Sequence, residues 1–290
     1  MPTIYVHIPF CRKACYYCDF HFSTNFTQKT AMINAINKEI VLQKDYFSEK
    51  NSISSIYFGG GTPSVLSQTE LESVLKNIYN NFEVDPQAEI TLEANPDDLN
   101  KNKLKELKSL GINRLSIGVQ SFDEAFLKYM NRSHNAKQSL ECLENAQKIG
   151  FDNLSFDLIY GVPAQNHDFW KKDLQMASQI GAKHISAYCL TIEEKTVFGK
   201  WLKNKKINEI NDDFANDQFD MLVENLENKG YQHYEISNFA MPNHYSKHNT
   251  NYWKKGSYLG IGASAHSYNQ QNRQFNISNN SLYIKQIEKG

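Results

Sequence analysis

The chain has 290 residues, enough for one large domain or one domain with an appendage. Its formal net charge of −1 gives no reason to expect nucleic acid as a partner. Apolar residues make up 40 % of the chain, yet no run approaches the ~18 consecutive apolar residues of a membrane helix. Because the N-terminus also lacks the pattern of a signal peptide, we expect a cytoplasmic protein with at most peripheral membrane contact.

Short β-rich runs alternate with helical patterns along the first two-thirds of the chain. The β-rich runs predict strands at residues 3–8, 54–58, 89–93, 114–119, 154–159 and 184–190. Apolar side chains at helical spacing predict helices at residues 28–47, 68–80, 101–109, 136–149 and 168–179. Gly111, Gly150 and Gly181 follow three of these helices, where glycine commonly ends a helix. Six β/α units in this order indicate a parallel sheet with right-handed crossovers.

An open doubly wound sheet and a curved barrel both fit this rhythm. Polar residues stand at the carboxyl ends of successive predicted strands, namely Glu93, Gln120, Asp157 and Tyr188. Because a barrel brings all of these ends to one mouth, we favour an α/β fold with a partial (β/α)6 barrel. We place the barrel core at residues 1–190. The accessory region at residues 191–290 contains a predicted amphipathic helix at 213–230 and an aromatic, histidine-rich stretch at 244–253.

Three cysteines share one loop after the first predicted strand, Cys11, Cys15 and Cys18 in the segment HIPFCRKACYYCDF. Structural zinc sites and ferredoxin clusters usually have four protein ligands. Three thiolates on a four-iron cluster would leave one iron open to another ligand. The basic residues Arg12 and Lys13 lie inside the loop and would stabilise thiolates.

Two other uses of these cysteines stay open. One is a zinc site with a fourth ligand such as His7 or His21, and the other is a redox disulfide. Cys142 and Cys189 lie far away in the sequence, and we expect both to be buried as small apolar residues.

A glycine-rich loop, Gly59-Gly60-Gly61-Thr62-Pro63, follows the second predicted strand. Glycines let a ligand approach the backbone closely, and consecutive N–H groups can bind an anion. The loop is not a P-loop, because no Gly-Lys-Ser/Thr follows it. With Arg132 and the acidic strand ends, it describes a pocket for a zwitterionic ligand that carries hydroxyl groups, since arginine can clamp a carboxylate.

Together, the cysteine loop, GGGTP, GVQS, Asn-Arg-x-His and DLIYGxP resemble the radical S-adenosylmethionine (SAM) superfamily over about residues 3–268. The resemblance is closest to the branch of the oxygen-independent coproporphyrinogen III oxidase and the haem chaperone HemW. It implies that Cys11, Cys15 and Cys18 hold a 4Fe-4S cluster whose open iron takes the amino and carboxylate groups of SAM. It also implies that SAM is contacted by Tyr5, Tyr17, Gly60, Gly61, Thr62, Glu93, Gln120, Arg132 and Asp157. By the same resemblance, Arg132 would face the carboxylate of SAM, while Gln120 and Asp157 would face its ribose.

Two features divide this branch. Phe20 stands where the oxidase resembled here has a further cysteine, and the segment from His248 to Trp253 is similar to the chaperone's HNxxYW motif. His248 can ligate haem iron, and Tyr252 and Trp253 offer flat faces to a porphyrin. The alternative for this segment is a core aromatic cluster with a hydrogen-bonded histidine.

The resemblance therefore predicts a haem chaperone with haem as its cargo, respiratory haemoproteins as acceptors and a reductant protein as a partner. The alternative is an enzyme that oxidatively decarboxylates porphyrinogen propionates, and a third interpretation is a zinc-stabilised binding protein. Members of this branch usually continue into a smaller C-terminal domain beyond the region that matches Tyr268. We therefore expect residues 191–290 to be incomplete relative to the family.

Overall fold

The structure is a computed structural model that describes residues 1–47 and 52–290. The strands are β1 Thr3–Ile8, β2 Ile53–Gly60, β3 Val84–Ala94, β4 Arg114–Gln120, β5 Asn153–Tyr160, β6 His184–Cys189, β7 Gln232–Glu235, β8 Asn238–Ala240, β9 Tyr258–Ile261, β10 His266–Tyr268 and β11 Arg273–Phe275. The helices are α1 Lys29–Leu42, α2 Gln68–Asn81, α3 Lys101–Ser109, α4 Glu124–Tyr129, α5 Ala136–Ile149, α6 Asp168–Ile180, α7 Val197–Lys203, α8 Asp212–Glu227, α9 Lys247–Trp253 and α10 Asn280–Lys289.

These strands form one sheet in the order β11-β10-β9-β1-β2-β3-β4-β5-β6-β8-β7. Strands β1 to β6 are neighbours in chain order, and each consecutive pair is parallel. A doubly wound sheet reverses its strand order at a switch point, which this sheet does not do. Consecutive order with right-handed crossovers keeps the helices on one face, so the sheet curves into a partial barrel. The predicted fold class is confirmed.

The core strands have one apolar face and one polar face. On β1, the fully buried Ile4, Val6 and Ile8 alternate with the polar or amphipathic Thr3, Tyr5 and His7. Successive side chains of a strand point to opposite faces of the sheet. The apolar face packs against the helices, while the polar face lines the inside of the barrel. The register continues this inner layer across the sheet through Tyr5, Tyr57, Thr91, Arg114 and Asn153.

The predicted helices agree with the observed ones, apart from the end of the first. The predictions at 101–109 and 136–149 coincide with α3 and α5, whereas the helix predicted to reach residue 47 ends at Leu42. Tyr46 and Phe47 continued the apolar pattern because they pack on the core from beyond the helix end. Gly150 and Gly181 adopt the left-handed conformation that ends α5 and α6.

The two isolated cysteines differ in burial. Cys142 is 2 % exposed on α5, as predicted. Cys189 is exposed, so the prediction that it is a buried residue is wrong. It is the last residue of β6, and burial is lost over the final two residues of that strand.

The accessory region extends both edges of the core sheet. Strand β9 pairs with β1 in parallel, and β8 pairs with β6 in antiparallel orientation. The helix predicted at 213–230 is α8, and the division of the chain at residue 190 stays a prediction. Over the residues that the structure describes, no helix combines the length and the apolar character needed to cross a bilayer.

Candidate cluster and cofactor site at the barrel mouth

The cysteine loop begins where β1 stops at Ile8-Pro9, since proline cannot donate a hydrogen bond to the next strand. The base of the loop is closed by Ser23, whose N–H donates to Pro9 O at 3.0 Å. Its carbonyl in turn accepts from Cys11 N at 3.1 Å. The three thiols are free and partly buried, and they follow the carboxyl end of β1. The loop therefore presents three soft ligands at the barrel mouth.

Burial raises the pKa of the Cys11 thiol to about 12 and that of Cys18 to about 11. Thr62 Oγ1 donates to Cys11 Sγ at 3.3 Å, which favours the thiolate but does not offset burial. A bound metal would replace the thiol protons, so these side chains fit a cluster that supplies the missing positive charge. No three His, Cys, Asp or Glu side chains among residues 1–47 and 52–290 converge on one ion position. A 4Fe-4S cluster takes one thiolate per iron, which three spaced cysteines can supply.

Arg132 joins the cysteine loop to the sheet. Its Nη1 donates to Cys15 Sγ and to the Tyr17 hydroxyl, both at 3.2 Å. Its Nη2 donates to Asn95 Oδ1 at 2.7 Å and to Gly118 O at 2.8 Å. None of these partners is a carboxylate, and Nε has no hydrogen-bond partner among the described residues. A partly buried guanidinium with neutral partners favours an anionic ligand such as a carboxylate.

The glycine loop packs directly on the cysteine loop. Gly61 N donates to Ile8 O at 2.9 Å, and Thr62 N donates to Phe10 O at 2.8 Å. These two N–H groups are therefore used within the protein and do not form the anion site that the sequence suggested. Gly60 has φ of +105°, and a Cβ there would lie 2.5 Å from the ring of His7. The glycines thus allow close packing beside the cluster position.

Two carboxylic acids face the inside of the barrel near its mouth. Glu93 on β3 accepts a hydrogen bond from the Tyr57 hydroxyl at 2.8 Å, and Asp157 on β5 lies 3.4 Å from Ser116 Oγ. Burial raises the pKa of Glu93 to about 7 and that of Asp157 to about 6. Gln120 lies at the end of β4 with φ of +70° and is 9 % exposed. These acids can hold an ammonium or hydroxyl groups when they are ionised.

His248 lies away from the cysteine loop, toward the amino end of β2. Its Nδ1 pairs with Ser55 Oγ at 2.9 Å and its Nε2 with the Tyr252 hydroxyl at 3.0 Å. The ring is 1 % exposed and stacks on Tyr57 at a centroid distance of 4.8 Å. Burial lowers the pKa of His248 to about 3, so the ring is neutral at physiological pH. The side chain of Trp253, in contrast, is 61 % exposed.

Comparison with known proteins identifies the family to which this site belongs. The family model for the radical SAM superfamily matches residues 5–177. The haem chaperone HemW of Lactococcus lactis is 37 % identical over 283 residues, which cover 98 % of this chain and 74 % of that protein. HemW of Bacillus subtilis is 36 % identical over 297 residues, covering 100 % of this chain and 77 % of that protein. The chain belongs to the HemW family of the radical SAM superfamily.

A solved structure places this HemW family member beside a related enzyme. Coproporphyrinogen III oxidase (HemN) from Escherichia coli, described as a radical SAM enzyme, superposes with a TM-score of 0.85. The match covers 99 % of this chain and 69 % of the HemN chain at 26 % identity. The two branches that the motifs suggested thus share one fold, and the sequence relatives favour HemW.

The site residues that the sequence predicted for this HemW family member include two groups that lie apart in the structure. Contacts link Cys11, Cys15, Tyr17, Thr62 and Arg132 at the mouth. Tyr5 and His248 lie deeper, with ring centroids 6.2 Å apart. The exposed Phe20 follows Cys18 on the rim of the cysteine loop.

Sequence reasoning missed three residues that contact these groups, Ser55, Tyr57 and Asn95. Tyr57 is the bridge, because its ring stacks on His248 while its hydroxyl donates to Glu93. The period of two along β2 could have placed Ser55 and Tyr57 on the inner face with Gly59. Asn95 likewise follows Glu93 at an interval of two.

Proposed function

We propose that this protein is a haem chaperone that holds a 4Fe-4S cluster and SAM at the barrel mouth. It is a cytoplasmic protein that binds haem through His248 and delivers the haem to respiratory haemoproteins at the membrane face, with a reductant protein as a further partner. The observation that carries the proposal is the 36 to 37 % identity to two HemW proteins over nearly the whole chain. The replacement of the oxidase cysteine by Phe20 supports the same choice.

The residues at the mouth have distinct tasks in this proposal. The thiolates of Cys11, Cys15 and Cys18 would each bind one iron, and when bound the cluster supplies one-electron chemistry to SAM. Arg132 would orient the carboxylate of SAM through its free donor capacity. The acids of Glu93 and Asp157 would ionise on binding to hold the ammonium and ribose hydroxyls. Tyr5, Tyr17, Gly60, Gly61, Thr62 and Gln120 would line the remaining surface of the cofactor.

His248 is the proposed haem ligand, since a neutral imidazole ligates haem iron and its low pKa keeps protons from competing. We expect haemin to bind with a saturating change in the Soret band at one haem per chain. His248→Ala should weaken this binding at least tenfold, whereas the matched control His266→Ala, an exposed histidine on β10, should not. Haemin binding that is unchanged in His248→Ala would contradict the assignment of His248 as the haem ligand. Absence of haemin binding by the wild type would contradict the proposed chaperone function.

An alternative function is oxidative decarboxylation of porphyrinogen propionates, which the structural similarity to HemN favours. The test is an anaerobic assay of the reconstituted protein with coproporphyrinogen, SAM and a reductant. Formation of protoporphyrinogen would establish the alternative. We expect none, with iron and sulfide analysis of the same sample showing that the cluster is present.

A further inference from the structure

The two nitrogens of the His248 ring have partners of very different exposure to solvent. Ser55, the partner of Nδ1, is 0 % exposed in the interior of β2. Tyr252, the partner of Nε2, lies in the last turn of the seven-residue helix α9 and is 40 % exposed. Its hydroxyl lies 3.0 Å from Nε2 and its ring stands at 89° to the imidazole, so the tyrosine covers this nitrogen.

The histidine itself is held in place from three directions. Glu89 Oε1 accepts the backbone N–H groups of Lys247 and His248 at 3.0 and 3.3 Å. The ring is fixed by Ser55 and by the face of Tyr57. The side chain that can move without unfolding a strand or the start of α9 is therefore the tyrosine.

The two hydroxyl groups can serve either tautomer of the ring, and in one of them Nδ1–H donates to Ser55 while Nε2 accepts from Tyr252. This is the tautomer that a metal ligand needs, because the lone pair of Nε2 is unprotonated and the other nitrogen is held by a hydrogen bond. The hydroxyl of Tyr252 occupies the place at Nε2 that a haem iron would take.

We propose that Tyr252 is a side-chain gate over Nε2 of His248, and that haem iron reaches this nitrogen only after the tyrosine hydroxyl has swung away. The inference rests on the proposed haem ligation by His248. The exchange is balanced, since a hydrogen bond to Nε2 is replaced by an iron–nitrogen bond and the tyrosine hydroxyl turns to water. No proton leaves the ring and no electron is transferred.

The gate makes a prediction about rates. When a site is open for only a fraction of the time, its association rate and affinity fall by that fraction. Tyr252→Phe removes the hydrogen bond that closes the gate, so the association rate of haemin should rise about two- to tenfold. The dissociation rate should stay the same, because the gate is already open in the complex. Stopped-flow absorbance in the Soret band measures both rates.

Tyr245→Phe is the matched control. Tyr245 is 39 % exposed, close to the value for Tyr252, but its hydroxyl bonds Gln232 instead of a histidine. The association and dissociation rates of haemin in Tyr245→Phe should equal those of the wild type. Circular dichroism checks that each variant is folded.

The possible results separate the gate from the proposed function. Unchanged rates in Tyr252→Phe, together with lost binding in His248→Ala, would reject the gate and keep the ligand. Faster dissociation in Tyr252→Phe would make the tyrosine a haem contact and would also reject the gate. Normal binding in His248→Ala would reject the proposed ligand itself.

Discussion

At the residue scale, Glu93 is a carboxylic acid held on the inner face of the partial barrel. Burial raises its pKa to about 7, and the nearby charge of Asp157 adds to the shift against the Tyr57 hydrogen bond. A raised carboxyl pKa means that the contribution of Glu93 to stability is present below pH 4.5 and is lost as the pH rises through about 7. Glu93→Gln should therefore reduce the fall in melting temperature between pH 5 and pH 8.

Thermal unfolding of the protein free of cluster and SAM measures this effect. The control is Glu72→Gln, an exposed glutamate on α2, which should leave the pH dependence of the wild type intact. A Glu93→Gln curve parallel to that of the wild type would show that Glu93 ionises as freely in the barrel as in water.

At the element scale, the short helix α9 depends on its N-cap. The Ser246 side chain is fully buried and accepts a hydrogen bond from Asn249 N at 3.2 Å. Loss of a serine cap costs about 1 kcal/mol. Because seven residues form few helical hydrogen bonds, Ser246→Ala should loosen α9 and speed amide exchange about fivefold at residues 250–253.

Hydrogen exchange followed by mass spectrometry resolves that segment. Ser67→Ala is the matched control, since Ser67 caps α2 through a capping box with Glu70. It should speed exchange in α2 and leave α9 unchanged. Equal exchange of α9 in Ser246→Ala and the wild type would mean that Glu89 alone holds the start of the helix.

At the scale of the whole molecule, Glu39 ties the end of the described chain to its beginning. The buried carboxylate on α1 accepts from Gly262 N at 2.7 Å, Asn276 Nδ2 at 2.6 Å and the Tyr283 hydroxyl at 2.5 Å. Removal of one donor from a buried carboxyl group costs about 1–3 kcal/mol. Tyr283→Phe should lower the free energy of unfolding in urea by that amount and expose residues 276–290 to proteolysis.

The exposed Tyr79 on α2 provides the control, because Tyr79→Phe should change neither stability nor cleavage. Proteolysis of Tyr283→Phe at the rate of the wild type would show that packing of α10 on α1 is sufficient to hold the segment.

Local chemistry and periodicity were sufficient for much of this protein. The alternation of β-rich and helical segments predicted the partial barrel, and the glycines at 150 and 181 marked two helix ends. The motifs of the cysteine loop and the strand ends identified the superfamily that the relatives confirm. These properties depend on residues close in sequence or on the fixed geometry of a strand, so they can be predicted from the amino-acid sequence alone.

Tertiary structure decided the rest, because the deciding contacts join residues far apart in the chain. Only the fold shows that the partners of Arg132 among the described residues include no carboxylate. It shows in addition that Glu93 is buried enough to titrate near neutrality and that Cys189 lies beyond the covered part of β6. It also shows that Tyr252 covers His248, which the sequence motif alone leaves as two side chains four residues apart. Burial and partner geometry set the pKa and access of each group, and neither quantity is a property of the residue type.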